Sequence, residues 1–315
     1  MERRYTAHAP RLRAATGCRH IRKISVDAGF TCPNRDGTLS HEGCTFCRND
    51  AFTPAYCSAR KSITRQIDEG MAFHAGRRGE ADGCIVYFQS YSNTYAPLDR
   101  LASLYQEALR HPGVVGLVIG TRPDTVDSEK LDYIVGLARQ RYVAVEYGIE
   151  STDDDTLRLI NRRHNFLTAQ RAVEQTAARG IDVGAHLILG LPDQSAATLI
   201  AQAPIIARLP LTSVKFHRLQ IFRSTPMAEL WQREPRRFAA WSAEEYIDIL
   251  AEIIRRLPPS MAIERLSGEV PPRYLLTRPW QGVRSSELWG MLDRRMEQLD
   301  ARQGDLCFDK PSERR

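Results

Sequence analysis

A chain of 315 residues with 43% hydrophobic and 26% charged residues has the balance of a folded globular protein with a large core. No apolar run approaches 18 residues and none follows Met-Glu-Arg-Arg-Tyr at the start, which argues against a membrane span and a secretory leader. Seven cysteines in such a chain then point to reduced thiols in the cytoplasm.

The net charge of +6 is gathered in residues 1–23, where Arg3, Arg4, Arg11, Arg13, Arg19, Arg22 and Lys23 face Glu2 alone. This basic N-terminal arm reads either as a solvated face or as a surface for the phosphates of RNA. A first strand is predicted over residues 24–28, and a cysteine-bearing loop follows it directly.

That loop contains Cys32, Cys44 and Cys47, with eleven residues between the first two. Three thiolates are one short of a closed tetrahedral zinc site or a fully ligated iron–sulfur cube. A cube held by three leaves one iron open to bind the amino and carboxylate groups of S-adenosylmethionine. Two other readings stay open on the residues alone. His41 or Cys57 would complete a structural zinc site, and Cys57 would also close the cube into an electron carrier. Phe46, between the paired cysteines, either packs the loop or lies against an adenine ring.

Strands and helices then alternate. Helices are predicted over 62–75, with Ser62 as N-cap, and over 98–110, 128–140, 167–179 and 195–208. Strands are predicted over 83–89, 114–120, 142–149, 181–189 and 212–219. The run 114–120 is apolar throughout, as a strand covered on both faces should be. About six strand–helix units imply an α/β fold with parallel strands, an incomplete (β/α)6 TIM-like barrel spanning residues 24–222. Residues 223–315 read as a mainly helical C-terminal extension, with helices over 241–257 and 285–299, a short strand over 262–266 and a frayed tail from Arg302.

Polar residues recur where these strands end: Gln89, Ser90, Tyr91 and Asn93; Thr121 and Arg122; Glu150 and Ser151; Gly190-Leu-Pro192; Lys215, His217 and Gln220. Glu146 and His186 lie within strands. Each has an ordinary structural explanation, but buried polar groups are costly unless paired. Their recurrence at one end of successive strands implies a polar ligand in the barrel mouth, where parallel barrels place their chemistry.

The three cysteines and Phe46 resemble the cluster loop of the radical S-adenosylmethionine (SAM) superfamily. The long first spacing is similar to the elongator-type branch, whose members modify tRNA. Five further segments resemble the YhcC-like family. They are Val26-Asp-Ala-Gly-Phe-Thr-Cys-Pro-Asn-Arg-Asp-Gly-Thr, Tyr87-Phe-Gln-Ser-Tyr-Ser-Asn-Thr-Tyr-Ala-Pro, Gly120-Thr-Arg-Pro-Asp, Val145-Glu-Tyr-Gly-Ile-Glu-Ser and Val214-Lys-Phe-His.

The resemblance implies a [4Fe–4S] cluster on Cys32, Cys44 and Cys47, and reductive cleavage of SAM to a 5′-deoxyadenosyl radical. It implies that Gln89 and Ser90 meet the methionyl amino group, that Arg122 neutralises the carboxylate and that Glu150 binds the ribose or methionine moiety. Gly190 and Pro192 would shape the adenine side, with Leu219 or Phe216 packing it. Lys215 and His217 would face the substrate, a tRNA base among the options, and a flavodoxin or ferredoxin would supply the electron. Arg163, Asp193 and Phe222-Arg-Ser-Thr-Pro226 depart from the family pattern, away from the cluster.

Overall fold

Seven strands pair in chain order, every neighbour parallel: β1 (Ile21–Val26), β2 (Gly83–Phe88), β3 (Val114–Thr121), β4 (Tyr142–Glu150), β5 (Asp182–Leu189), β6 (Ser213–Arg218) and β7 (Ala262–Arg265). The computed structural model describes residues 3–79, 81–277, 280 and 283–307. Parallel neighbours need a crossover, and helices supply it: α2 (Ile63–Arg78), α3 (Leu98–Arg110), α4 (Ser128–Ala138), α6 (Phe166–Ala178), α7 (Ala196–Ala207) and α9 (Ala243–Ile254). An unreversed strand order curls the sheet into a half-barrel.

The caps are local and strong. Ser62 Oγ accepts from the Arg65 amide, Asp127 from Lys130 and Asn165 from Thr168. Ser195 with Thr198, and Ser242 with Glu245, form capping boxes.

The pleat divides each strand between two faces. In β4, Val143, Val145, Tyr147 and Ile149 join the main core beneath the helices, whereas Ala144 and Glu146 lie inside the barrel.

Three elements differ from the sequence-based expectation. First, the basic arm is folded. Residues His8–Thr16 form a helix, α1, and β1 starts at Ile21, so Arg22 and Lys23 belong to the sheet. Ala7 bridges Ile263 of β7, and Leu12 packs with Ile85, Tyr87, Val118 and Ala144 inside the barrel. Arg11 pairs with Asp182, the first residue of β5, so α1 closes the end of the barrel where strands begin. Second, the sheet does not stop at residue 222, because β7 is its seventh strand. Short helices α5 (Asp154–Leu159) and α8 (Pro226–Arg233) also form, neither of which the sequence singled out. Third, the tail is docked at least to Cys307. The Gln303 side chain accepts from the Thr6 amide and donates to the Pro258 and Met261 carbonyls, behind α10 (Ser285–Gln298). The rest of the expected frayed tail lies outside the described residues. No helix among the described residues is long and apolar enough to cross a membrane.

Candidate active site

The loop after β1 is folded by its own backbone. The Arg35 amide donates to the Cys32 carbonyl at 2.8 Å, Leu39 to Pro33 at 2.7 Å and Cys47 to Cys44 at 3.0 Å. Gly43 has φ of 75°, and a Cβ there would sit 2.9 Å from the Arg35 guanidinium, so the turn needs glycine. A reciprocal clamp ties this loop to the segment after α5. Asn34 Nδ2 donates to the Asn161 carbonyl and Asn161 Nδ2 to the Gly43 carbonyl, each at 2.7 Å.

Cys32, Cys44 and Cys47 thereby line one cavity of about 240 Å³ at the C-terminal ends of the strands. Cations surround the thiols. Arg162 Nη1 and Asn34 Nδ2 each lie 3.5 Å from Cys44 Sγ, and Arg35 Nη2 donates to the Cys47 carbonyl at 2.7 Å. Burial, with the Cys44 thiol adding and Arg35 opposing, pushes Cys47 up to about 11, and burial also raises Cys32. Burial thus favours the protonated form of Cys32 and Cys47, whose protons a metal would displace on binding.

This donor set fits a cluster that is open at one iron. Cys57 Sγ donates to the Ser25 carbonyl at 3.1 Å and is not on the cavity wall. His41 lies over Gly37, also away from the wall. Among the described residues no three His, Cys, Asp or Glu side chains gather to hold a single ion. A cube spreads its thiolates over several irons and needs no such convergence.

Arg122 is almost wholly buried. Its Nε and Nη2 bond Asp124 at 2.8 and 2.7 Å, and Nη2 also reaches the Arg162 carbonyl. Its Nη1 is buried without a hydrogen-bond partner among the described residues, which leaves one donor free toward the cavity it lines. Glu150 lies 3.6 Å from Arg162, in a left-handed conformation with φ of 67°.

Phe46, Gln89, Ser90, Arg122, Glu150, His217 and Leu219 all line this cavity. Gly190, Pro192 and Lys215 do not. Gly190 packs toward Trp241, and its amide donates to Gln194 Oε1. Phe216 points outward into the helix-facing core, because Lys215 and His217 on either side of it point inward.

Lys215 belongs to a charge network beneath the cavity. Its Nζ contacts Glu146 Oε2 at 2.5 Å and Glu264 Oε1 at 3.1 Å, and lies over the Tyr87 ring. Lys23 Nζ joins from β1, 2.5 Å from Glu264 and 3.3 Å from Glu146. Burial alone would raise Glu146, but Lys215 and Lys23 overcome it and hold the carboxyl well below its usual range. Burial lowers Lys215 to about 8 against the pull of both carboxylates. Gly184 makes room for the network, since a Cβ there would lie 2.9 Å from Glu146 Cγ.

Arg35 and Arg162 were not singled out from the sequence. The available signal was an arginine inside each turn of the Asn34–Asn161 clamp. Tyr91, at φ 62° and 41% exposed, stands at the cavity mouth with the exposed Phe52.

Comparison with known proteins extends this picture. The pattern of the Radical SAM superfamily matches residues 32–201, and that of the Radical_SAM C-terminal domain matches residues 211–298. YtqA of Bacillus subtilis is 31% identical over 305 residues, covering 96% of this chain and 92% of the relative. YhcC of Escherichia coli K12 is 35% identical over 261 residues, 82% of each chain. The fold is shared with the solved structure of archaeal Methanocaldococcus infernus Elp3 (TM-score 0.65, 16% identity). That match covers 90% of this chain but only 64% of the Elp3 chain.

Proposed function

This chain belongs to the radical SAM superfamily, and from that premise we propose that Cys32, Cys44 and Cys47 hold a [4Fe–4S] cluster beside a cavity that receives SAM and an unstacked RNA base. Proteins of this superfamily are enzymes that use such a cluster with SAM and draw an electron from an external reductant. When bound, the two cofactors supply reductive cleavage of the sulfonium and a 5′-deoxyadenosyl radical.

The chain's own residues do the rest. Arg35 and Arg162 offset the negative charge that three thiolates bring into a buried wall. Arg122 Nη1 offers its unused donor to the methionyl carboxylate. Gln89 and Ser90 meet the amino group, Glu150 accepts from the ribose hydroxyls, and Phe46 with Leu219 packs the adenine. The carrying observation is three thiols on one cavity wall beside a buried guanidinium with an unpaired N–H.

An RNA substrate is favoured by the cavity rim. Arg218 and Arg265 line the cavity, and Arg48 and Arg273 lie over the Tyr274 ring at 5.1 and 4.8 Å, near exposed Phe52 and Tyr91. Arginines interleaved with aromatic faces suit a single-stranded base and its phosphates. The rim takes over the role first expected of the N-terminal arm, since α1 lies at the far end of the barrel. The electron donor on this reading is a flavodoxin or ferredoxin in the reducing cytoplasm.

Anaerobic reconstitution with iron and sulfide tests the core of the proposal. The protein should turn brown and form 5′-deoxyadenosine from SAM under a strong reductant. Cys44→Ala should lose both, whereas Cys57→Ser should keep the colour. Bound zinc without iron or sulfide, or full activity in Cys44→Ala, would overturn the reading.

A further inference from the structure

Glu146, His186 and His217 form a chain of hydrogen bonds that leads from the buried charge network to the cavity. His186 Nε2 lies 2.9 Å from Glu146 Oε2, and His217 Nε2 lies 3.2 Å from His186 Nδ1. The two rings stack at 5.0 Å between centroids and 28° between planes. The strand register explains the alignment. Gly148 of β4 stands opposite His186 of β5, and His186 stands opposite Lys215 of β6, two residues before His217 on the same face of the strand.

With both rings neutral, this geometry decides which nitrogens carry protons. Glu146 is a carboxylate and only accepts, so the proton of His186 sits on Nε2 and its Nδ1 is bare. That bare Nδ1 accepts from His217, so the proton of His217 also sits on Nε2. His217 Nδ1 is then an unprotonated acceptor. It has no hydrogen-bond partner among the described residues, and its neighbour is Gly268, where even an added Cβ would stay 3.5 Å away.

We propose that His217 Nδ1 is the proton acceptor for a substrate held in this cavity, with His186 and Glu146 as positioning residues that set its tautomer. The inference rests on the cavity being the substrate site. In the step, an N–H, O–H or acidified C–H bond of the substrate breaks and its electron pair stays on the substrate. The proton bonds to His217 Nδ1, giving an imidazolium. The proton on His217 Nε2 then passes to His186 Nδ1, and the positive charge comes to rest against Glu146. The recipient is a substrate with an acidic hydrogen, of which a heterocyclic base amide N–H is one chemical class.

The surrounding charges disfavour a positive charge on His217. Lys23, Lys215 and Arg265 outnumber Glu146 and Glu264, with His8 reaching Glu264 from α1 at 3.7 Å. Burial, then His186, Arg265 and Lys215, hold His217 well below the usual imidazole range, so it is uncharged at neutral pH.

Nitrogen-15 spectra of histidine-labelled, cluster-loaded protein at neutral pH test the assignment. Both rings should carry their proton on Nε2, with His217 Nδ1 at the shift of a bare nitrogen. His186→Leu removes the acceptor and should turn His217 into a tautomer mixture. His186→Asn places an amide oxygen near the former Nδ1 and should restore the Nε2–H form. A His217 protonated on Nδ1 or charged in the unsubstituted protein, or one unmoved by His186→Leu, would overturn the inference. None of these readouts depends on SAM cleavage, so a failure here is distinguishable from a protein that makes no 5′-deoxyadenosine.

Discussion

Glu264 shows how a carboxylate is kept charged inside a barrel. Burial alone would raise it, yet Lys215 and Lys23 hold it down at about 2. A depressed carboxyl stabilises the fold fully above its unfolded value of about 4.5, and that contribution is lost as pH falls toward 2. Glu264→Gln leaves both ammonium groups leaning on Glu146 alone and should cost about 3 kcal/mol at pH 6 in urea unfolding. The gap between the two proteins should narrow by about 1 kcal/mol at pH 3.5, as the wild-type carboxyl loses its advantage. A gap independent of pH would mean that Glu264 acts by packing and not by charge. At the same scale, the sequence made the three cysteines legible, because a ligand triad is a local pattern on one loop. Arg162 was not legible, because its contact with Cys44 spans 118 positions.

Helix α1 carries the largest difference between expectation and structure at the level of elements. Its nine residues are rich in arginine and alanine, and its apolar content is too low to announce a buried face. The helix is positioned by what it plugs: Leu12 enters the layer formed by Ile85, Tyr87, Val118 and Ala144. Leu12→Ala should therefore lower stability by about 1–2 kcal/mol, short of the full penalty because Leu12 is only half-buried. Chemical denaturation measures this directly, and an unchanged midpoint would mean that α1 does not seal the barrel. The longer elements were legible for the opposite reason. Ser62 marks a helix start, and the apolar run of β3 marks a strand covered on both sides, both from neighbouring residues.

Over the whole molecule, two groups of arginines stand at opposite ends of the barrel. Arg4 and Arg11 serve ion pairs with Asp300 and Asp182 around the closed end, while Arg48, Arg218, Arg265 and Arg273 stand around the open one. If the open end meets RNA, affinity for tRNA should fall as salt rises. Joint Arg48→Ala and Arg273→Ala should flatten that dependence by about one to two contacts. Fluorescence anisotropy at 50 and 200 mM salt, as round working values, reads the slope. A slope untouched by the rim pair but lost in Arg13→Ala with Arg19→Ala would return the RNA to the N-terminal end.

The alternation of the longer strands and helices, the Ser62 cap and the triad of metal-seeking thiols followed from the sequence alone, because each depends on residues within a few turns of one another. The folded chain alone decided that Cys57 and His41 face away from the cavity, that Phe216 points out while His217 points in, and that the short strand expected over 262–266 joins the sheet as its seventh. It alone joined Glu146 to His186 and His217. Those outcomes depend on pleat, register and closure, which bring together residues from separate strands whose positions carry no shared local signal.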